Sequence, residues 1–189
     1  GSMSECDGHV PVSSGRHETF MECSRWTELL RSVSWLGNLA IGLEAHAEFR
    51  LINPTSGVSV ANLGMGLAEQ EQEQLRRITS SSPTGRTPIC ATIREVVESI
   101  RARAADLRAS GQRALVEIAT DGISTDGDLA SALRPLEQLP VFVVVRLCTD
   151  DDRVVNYWND IDSQLELEMD VLDDLAGEAA EVHAVNPWL

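Results

Sequence analysis

The sequence predicts an α/β fold in which a mostly parallel, doubly wound sheet carries helices on both faces. Three observations favour it. Strand-like and helix-like segments alternate along the chain, as in parallel strands joined by right-handed helical crossovers. The run Val141–Cys148 is almost continuously apolar, which is typical of a strand buried on both faces of a parallel sheet. The predicted strand Arg113–Thr120 ends on Asp121-Gly122, at the strand end where α/β proteins bind ligands.

Length, charge and cysteine content narrow the class of protein. The chain has 189 residues, is 43% hydrophobic and lacks any run of 18 apolar residues, so we expect one soluble domain without membrane insertion. Its net charge is −15 and all its basic residues are arginines, a balance that disfavours nucleic acid and suits cations or basic surfaces. The four cysteines form no C-x-x-C pair and no secretory signal is visible. A cytoplasmic location follows as the expectation.

The first part of the chain predicts a loop followed by a domain. Residues 1–23 are rich in Gly, Pro and Ser with little periodicity, so they are interpreted as an N-terminal loop segment before a domain at 24–189. Four residues of this loop offer zinc ligands in principle: Cys6, His9, His17 and Cys23. Their spacing matches no standard zinc finger, which favours an ordinary loop.

Helices and strands of the first half follow from capping residues and periodicity. Ser24 is a helix N-cap, and the apolar stripe after it makes Trp26 and Trp35 expected core residues. Residues 48–53 alternate as a strand, 57–62 predict a short edge strand, and 67–78 predict a polar helix.

The second half begins with a small-residue loop, 80–88, that leads into a helix at 88–109 with Thr87 as the expected N-cap and Pro88 as its first residue. Further predicted elements are a helix interrupted at Pro135, a helix at 154–161, a strand at 165–172 and a short helix from Glu178. The acidic run 150–152 is expected to cap the helix at 154–161.

Two short motifs are informative in combination: Gly85-Arg86-Thr87-Pro88 before a helix, and Ala119-Thr120-Asp121-Gly122 at a later strand end. In this order they resemble the von Willebrand factor A (VWA) family, from about Ser24 onward. Members of that family build a metal-ion-dependent adhesion site (MIDAS) from a D-x-S-x-S motif, a Thr in a later loop and an Asp usually followed by Gly. The resemblance implies that Thr87 is the second of these ligands and Asp121 the third.

The first of the three motifs departs from the family pattern, because no D-x-S-x-S occurs in the chain. The first strand of a VWA sheet, which should carry it, is therefore expected to be missing or truncated. The chain opens Gly1-Ser2-Met3, and the family motif often reads D-x-S-G-S-M. If these residues are native, Ser2 is the last serine of a truncated D-x-S-G-S-M motif. The alternative is that Gly1-Ser2-Met3 is a cloning scar. The predicted metal ligands are Thr87, Asp121 and Ser2.

The resemblance implies a protein–protein interaction module, embedded in a larger polypeptide, in which Mg²⁺ (Mn²⁺ or Ca²⁺ as alternatives) bridges to a Glu or Asp of a partner. The alternative is a VWA-fold scaffold with no functional metal. An enzyme is not expected, since the chain contains no G-x-S-x-G, no P-loop and no G-x-G-x-x-G.

Overall fold

The computed structural model describes residues 2–14, 17–55 and 58–172, together with residues 183, 185 and 186. The chain divides into two compact units, Gly1–Arg86 and Thr87–Leu189. The predicted division into a 1–23 segment and a 24–189 domain stays a prediction. The boundary between the two compact units lies elsewhere in the sequence, between Arg86 and Thr87. Within the described ranges, no helix combines the length and the apolar character needed to cross a membrane.

The first unit begins with a short 3-10 helix, Ser2–Ser4, and an antiparallel hairpin of β1 (Gly8–Ser14) and β2 (His17–Cys23). The expectation of a loop at 4–23 was wrong. The two segments pair along seven residue positions, and the hydrogen bonds of this ladder outweigh the Gly and Pro content that suggested a loop.

The hairpin register also excludes a zinc site made of all four His and Cys residues. His17 lies opposite Ser14, five positions along β1 from His9. Five positions in a strand span about 17 Å, whereas zinc ligands lie about 2 Å from a shared metal. His9 and His17 therefore cannot bind the same ion.

Helix α1 (Arg25–Leu43) begins as predicted, because Ser24 Oγ accepts a hydrogen bond from Thr27 N at 3.2 Å. Trp26 is half-buried and its Nε1 donates to Ser81 O at 2.9 Å. Trp35 is 65% exposed, so its expected place in the core was wrong. It lies on the solvent side of α1, whereas the buried side of the helix carries Leu29, Gly37 and Ala40.

The remaining elements of the first unit are β3 (Ala47–Thr55), β4 (Val58–Leu63) and α2 (Ala68–Thr79), which confirm the predicted strands and polar helix. β3 and β4 pair antiparallel, and α2 packs against both β4 and α1. The buried core between them consists of small and aliphatic side chains: Ala40, Ala61, Leu63, Leu75 and Ile78.

The turn between β4 and α2 is organised by a buried carboxylate, Glu71, which is only 2% exposed. Its Oε2 accepts from Gly64 N at 2.8 Å, and its Oε1 accepts from Met65 N at 2.8 Å and Leu67 N at 3.0 Å. The hydrogen bond from Leu67, reinforced by those from Gly64 and Met65, holds the pKa of Glu71 below its usual range although burial opposes this.

We expect Glu71→Gln to lower the thermal unfolding midpoint by about 5 °C at pH 7, because an amide retains only one of the two accepting oxygens. The pKa of Glu71 is lower in the folded state, so its stabilisation is present above the unfolded value of about 4.3 and is lost as the pH falls through the folded value. The difference between wild type and variant should therefore shrink below about pH 4. Differential scanning calorimetry from pH 3 to pH 7 measures it.

The control for this prediction is Glu69→Gln, which removes the same charge from the exposed side of the same first helical turn. Its midpoint should stay close to wild type throughout the pH range. Equal effects of the two substitutions would show that the charge alone, and not the hydrogen bonds to the turn, accounts for the stabilisation.

The second unit is an α/β arrangement around a parallel sheet of β5, β6 and β7, in that order. Thr120 pairs with Leu147, so β5 and β6 end at the same edge. The elements in chain order are α3 (Ile89–Ala109), β5 (Ala114–Thr120), α4 (Leu129–Leu133), a 3-10 helix (Arg134–Gln138), β6 (Val141–Leu147), α5 (Asp152–Ser163) and β7 (Met169–Leu172).

These elements confirm the α/β class and a parallel sheet, but the predicted single sheet is not what the described residues form. They form three separate sheets: β1 pairs with β2, β3 pairs with β4, and β5, β6 and β7 form the parallel sheet. The prediction that β6 is buried on both faces is confirmed for one face and in part for the other, because buried and half-buried residues alternate along the strand and none of them is exposed. The helix expected from Glu178 falls largely outside the described residues.

Candidate functional site

The turn that follows β5 is held by hydrogen bonds to both the N–H and the carbonyl oxygen of Gly122. Gly122 N donates to the hydroxyl of Thr120 at 3.2 Å, and Gly122 O accepts from Trp158 Nε1 at 3.3 Å. Thr120 is 4% exposed and Trp158 is fully buried in α5. Because both anchors lie in the core, the Asp121-Gly122 turn has a defined position at the edge of the sheet.

The structure places the loops that carry two of the three sequence-predicted ligands side by side at this turn. Asp121 is half-buried, with its Oδ2 atom shielded from solvent, and Thr87 is half-buried on the loop before α3. A Cβ atom added to Gly122 would lie 3.6 Å from Thr87 Oγ1. The hydroxyl of Thr87 therefore lies beside Gly122, the residue that follows Asp121.

Thr87 is held in place through its backbone. Its N–H donates to Thr125 Oγ1 at 3.2 Å, and its carbonyl accepts from Thr125 N at 3.0 Å. These two hydrogen bonds pair the loop before α3 with the loop after β5. Sequence reasoning missed Thr125, since an exposed Thr in a polar loop carries no signal for a partner 38 residues away.

Thr87 does not cap α3, so that sequence-based assignment was wrong. The N-cap residue is Pro88, and Ile89 N is bonded to Thr87 O at 2.9 Å. The cap comes from Asp126, whose Oδ1 accepts from Cys90 N at 3.0 Å and whose Oδ2 accepts from Ala91 N at 2.8 Å. The second Asp-Gly pair of the loop was the available signal, but a cap supplied from 36 residues downstream leaves no local pattern.

The surroundings of Asp126 favour its ionised form. Burial raises the pKa of Asp126, but the hydrogen bonds from Ala91 N and Cys90 N outweigh it and hold the pKa below its usual range. Ser124 Oγ also donates to Asp126 Oδ1, at 2.9 Å. Beside them the thiol of Cys90 is fully buried, and this burial raises its pKa, so it is protonated at neutral pH and is a poor metal ligand.

The segment after β6 also provides a helix cap, at the start of α5. Asp151 Oδ1 accepts from Arg153 N at 2.9 Å at the start of α5, which confirms the capping role predicted for the acidic run. Thr149 is 3% exposed, and its Oγ1 accepts from Asp151 N at 3.2 Å. Cys148 N donates to Thr120 O at 2.9 Å and thereby joins this segment to the end of β5.

Thr87 and Asp121 fit a divalent cation in part. A carboxylate and a hydroxyl are the oxygen ligands that Mg²⁺ prefers, and Mg²⁺ usually keeps several waters beside one or two carboxylates. The third predicted ligand, Ser2, belongs to the first unit, where it is exposed and its carbonyl accepts from Glu5 N at 2.9 Å. Across the described residues, no three His, Cys, Asp or Glu side chains converge in a group able to hold a metal ion.

Comparisons with known proteins give no match, whether to a family model, to a curated protein or to a solved structure. The case for a function therefore depends on the order of the two motifs and on the geometry of Thr87 and Asp121. Both residues belong to the second unit, so their geometry lies within one compact body.

Proposed function

We propose that the chain is a protein–protein interaction module of the VWA type, in which a divalent cation held by Thr87 and Asp121 bridges to a carboxylate of a partner protein. The observation that carries the proposal is the position of the Thr87 hydroxyl beside the Asp121-Gly122 turn. The sequence motifs supplied these two residues independently of the structure.

The charge and the ligand types of the pair suit a bridging cation. Asp121 is the one carboxylate of the pair and Thr87 contributes a neutral hydroxyl, so most of the positive charge of a bound ion is left for a partner. Mg²⁺, or Mn²⁺ or Ca²⁺ in its place, supplies an electrophilic centre that a Glu or Asp of the partner can approach. The net charge of −15 favours the arrival of cations.

The arrangement of the second unit supports the VWA-type fold in this proposal. Its helices alternate with the parallel strands β5, β6 and β7, and Asp121 follows the first of them directly. A doubly wound sheet with helices on both faces, a cytoplasmic location and a place in a larger polypeptide are parts of the same proposal. Binding is favoured over catalysis because the chain has none of the nucleophile or phosphate-binding motifs considered above.

A second candidate is a VWA-fold scaffold with no functional metal. The specific observation in its favour is that the neighbouring carboxylates have structural tasks: Asp126 caps α3 and Asp151 caps α5. This scaffold would bind its partner equally well with and without divalent ions.

The test is cation binding by the 189-residue chain, with Mg²⁺ measured by calorimetry and Mn²⁺ by electron paramagnetic resonance. We expect Asp121→Asn and Thr87→Val to weaken the affinity about 10- to 100-fold, since each removes an oxygen donor at nearly unchanged shape. Thr87→Ser retains the hydroxyl and should bind within about threefold of wild type. Circular dichroism checks that each variant is folded.

The matched control is Asp150→Asn, which removes the same charge from an exposed position after β6. It should leave the affinity unchanged. If Asp150→Asn weakens binding as much as Asp121→Asn does, the ion responds only to the overall charge. That result, or a wild-type chain that binds neither ion, overturns the proposed site and favours the metal-free scaffold.

The bridging step has its own measurement. A short peptide with one Glu is added to the Mn²⁺-loaded chain, and the relaxation rate of water protons reports the waters that remain on the ion. A carboxylate that replaces a bound water should lower the rate, whereas the same peptide with Gln should not. Equal behaviour of the two peptides would contradict bridging even where the cation binds.

A further inference from the structure

We infer that Asp126 is the positioning residue of this site: its carboxylate joins the loop after β5 to the first turn of α3 and so fixes Asp121 against Thr87. The inference rests on the proposed cation function for its meaning. It goes beyond that function because Asp126 is not one of the three predicted ligands and no motif assigns it a role.

The first step is that Thr87 moves together with α3. Thr87 O accepts from Ile89 N at 2.9 Å, and Ile89 is the first residue of the helix. α3 is anchored in turn by a buried stripe along its length, comprising Ile89, Cys90, Ile93, Val97, Ile100 and Ala104. Thr87 is therefore joined directly to the start of this helix, in addition to its contacts with Thr125.

The second step is that Asp121 and Asp126 belong to one loop, which begins at the Asp121-Gly122 turn after β5. Besides a contact of Ser124 Oγ with Cys90 Sγ at 3.1 Å, two sets of hydrogen bonds join this loop to the start of α3. Thr125 exchanges two hydrogen bonds with Thr87, and Asp126 accepts from the backbone N–H groups of Cys90 and Ala91. Both contacts join the Asp121 loop to the element that carries Thr87.

The hydrogen bonds to the Asp126 carboxylate are stronger than those between Thr125 and Thr87. A carboxylate at a helix N-terminus accepts charge-assisted hydrogen bonds, and it is stabilised further by the helix dipole. Ser124 Oγ donates to the same carboxylate at 2.9 Å, which fixes its orientation within the loop. The Thr125–Thr87 pair is neutral and exposed, so water competes for it. Without the carboxylate, we expect the loop to separate from α3.

The same loop contains a matched control, Asp128. Its carboxylate accepts from Ser131 Oγ, three residues away within the start of α4, and it is exposed. Asp128 thus carries the same charge in the same loop but is bonded locally and not to α3. Removing it changes the electrostatics near Asp121 without removing the contact to α3.

The experiment compares Asp126→Asn and Asp128→Asn with wild type by two readouts. The first is amide hydrogen exchange at Thr125 and Gly122, which lie outside the direct reach of the Asp126 carboxylate. The second is Mn²⁺ affinity by electron paramagnetic resonance. For Asp126→Asn we expect exchange at both amides to rise at least about tenfold and Mn²⁺ affinity to fall about 10- to 100-fold. For Asp128→Asn we expect both readouts within about twofold of wild type.

A merely structural cap would speed exchange at Cys90 and Ala91, where hydrogen bonds are lost directly, but would leave Thr125, Gly122 and the Mn²⁺ affinity unchanged. That outcome overturns the inference. Equal losses of Mn²⁺ affinity in the two Asn variants also overturn it, because they would show an effect of charge alone. Asp126→Glu, which keeps a carboxylate, serves as the rescue variant and should recover part of the affinity.

The two readouts separate this inference from the proposed function. If the wild-type chain binds no Mn²⁺, the cation function fails, and exchange at Thr125 and Gly122 alone decides whether Asp126 holds the two loops together. If wild type binds Mn²⁺ and Asp126→Asn binds it equally, the function stands and the positioning role fails.

Discussion

Trp158→Ala should destabilise the second unit by about 3–5 kcal/mol. Trp158 is fully buried, stacks edge-on against Tyr157 at 5.9 Å between ring centroids, and donates to Gly122 O. Its removal leaves a cavity in the core and a carbonyl without its donor. Native-state hydrogen exchange measures the change, because the slowest amides of β6 report unfolding of this unit and should exchange on the order of 10²- to 10⁴-fold faster.

Two further substitutions make this result interpretable. Trp158→Phe keeps an aromatic ring but loses the indole N–H, and we expect an intermediate loss of about 1–3 kcal/mol together with faster exchange at Gly122. Trp35→Ala removes the same kind of side chain from an exposed position of α1 and should change stability by about 0.5 kcal/mol or less. A loss at Trp35 equal to that at Trp158 would contradict the assignment of Trp158 to the core.

Gly64→Ala is the second substitution with a large expected effect, roughly 2–5 kcal/mol, in the first unit. Gly64 has φ +75°, a left-handed conformation, and an added Cβ would lie 2.1 Å from Ala45 O. The backbone must shift to relieve that overlap, and Gly64 N then loses its hydrogen bond to Glu71. Hydrogen exchange of the β4 amides reports the loss.

Gly66 provides the control for Gly64. It lies two residues further on with φ +79°, but an added Cβ would meet no atom within 4 Å. Gly66→Ala should therefore show only the conformational cost of a left-handed residue, about 1–2 kcal/mol. Equal losses at the two glycines would mean that the contact with Ala45 contributes nothing.

Local patterns predicted most of the helices and strands because their signals lie within a few residues. Ser24 caps α1 from the adjacent position, and Pro135 marks the change from α4 to the 3-10 helix. The β1–β2 hairpin was missed because its Gly, Pro and Ser residues resemble those of a loop, while its stability comes from pairing across the two segments. Trp35 was misplaced because helical spacing shows that apolar residues recur but not how wide the buried face is.

The candidate site was predictable in its two motif residues and in little else. Thr87 and Asp121 came from short motifs, and the structure brings their loops together within the second unit. Thr125, Asp126 and Trp158 act on these loops through hydrogen bonds across 36 to 38 residues of sequence, a separation over which one sequence carries no pairing signal. The assignments of ligand roles to Thr87, Asp121 and Ser2 stay predictions.

The cap of α3 also has a consequence for synthesis of the chain. Ribosomes add about 5–20 residues per second, so the 36 residues between Cys90 and Asp126 take roughly 2–7 seconds to follow. α3 is complete in sequence once Ala109 has been added, but the N–H groups of Cys90 and Ala91 lack their carboxylate partner until Asp126 follows. The start of this helix in a nascent chain therefore frays until the loop after β5 has emerged, and a pause in translation between the two would prolong that exposure.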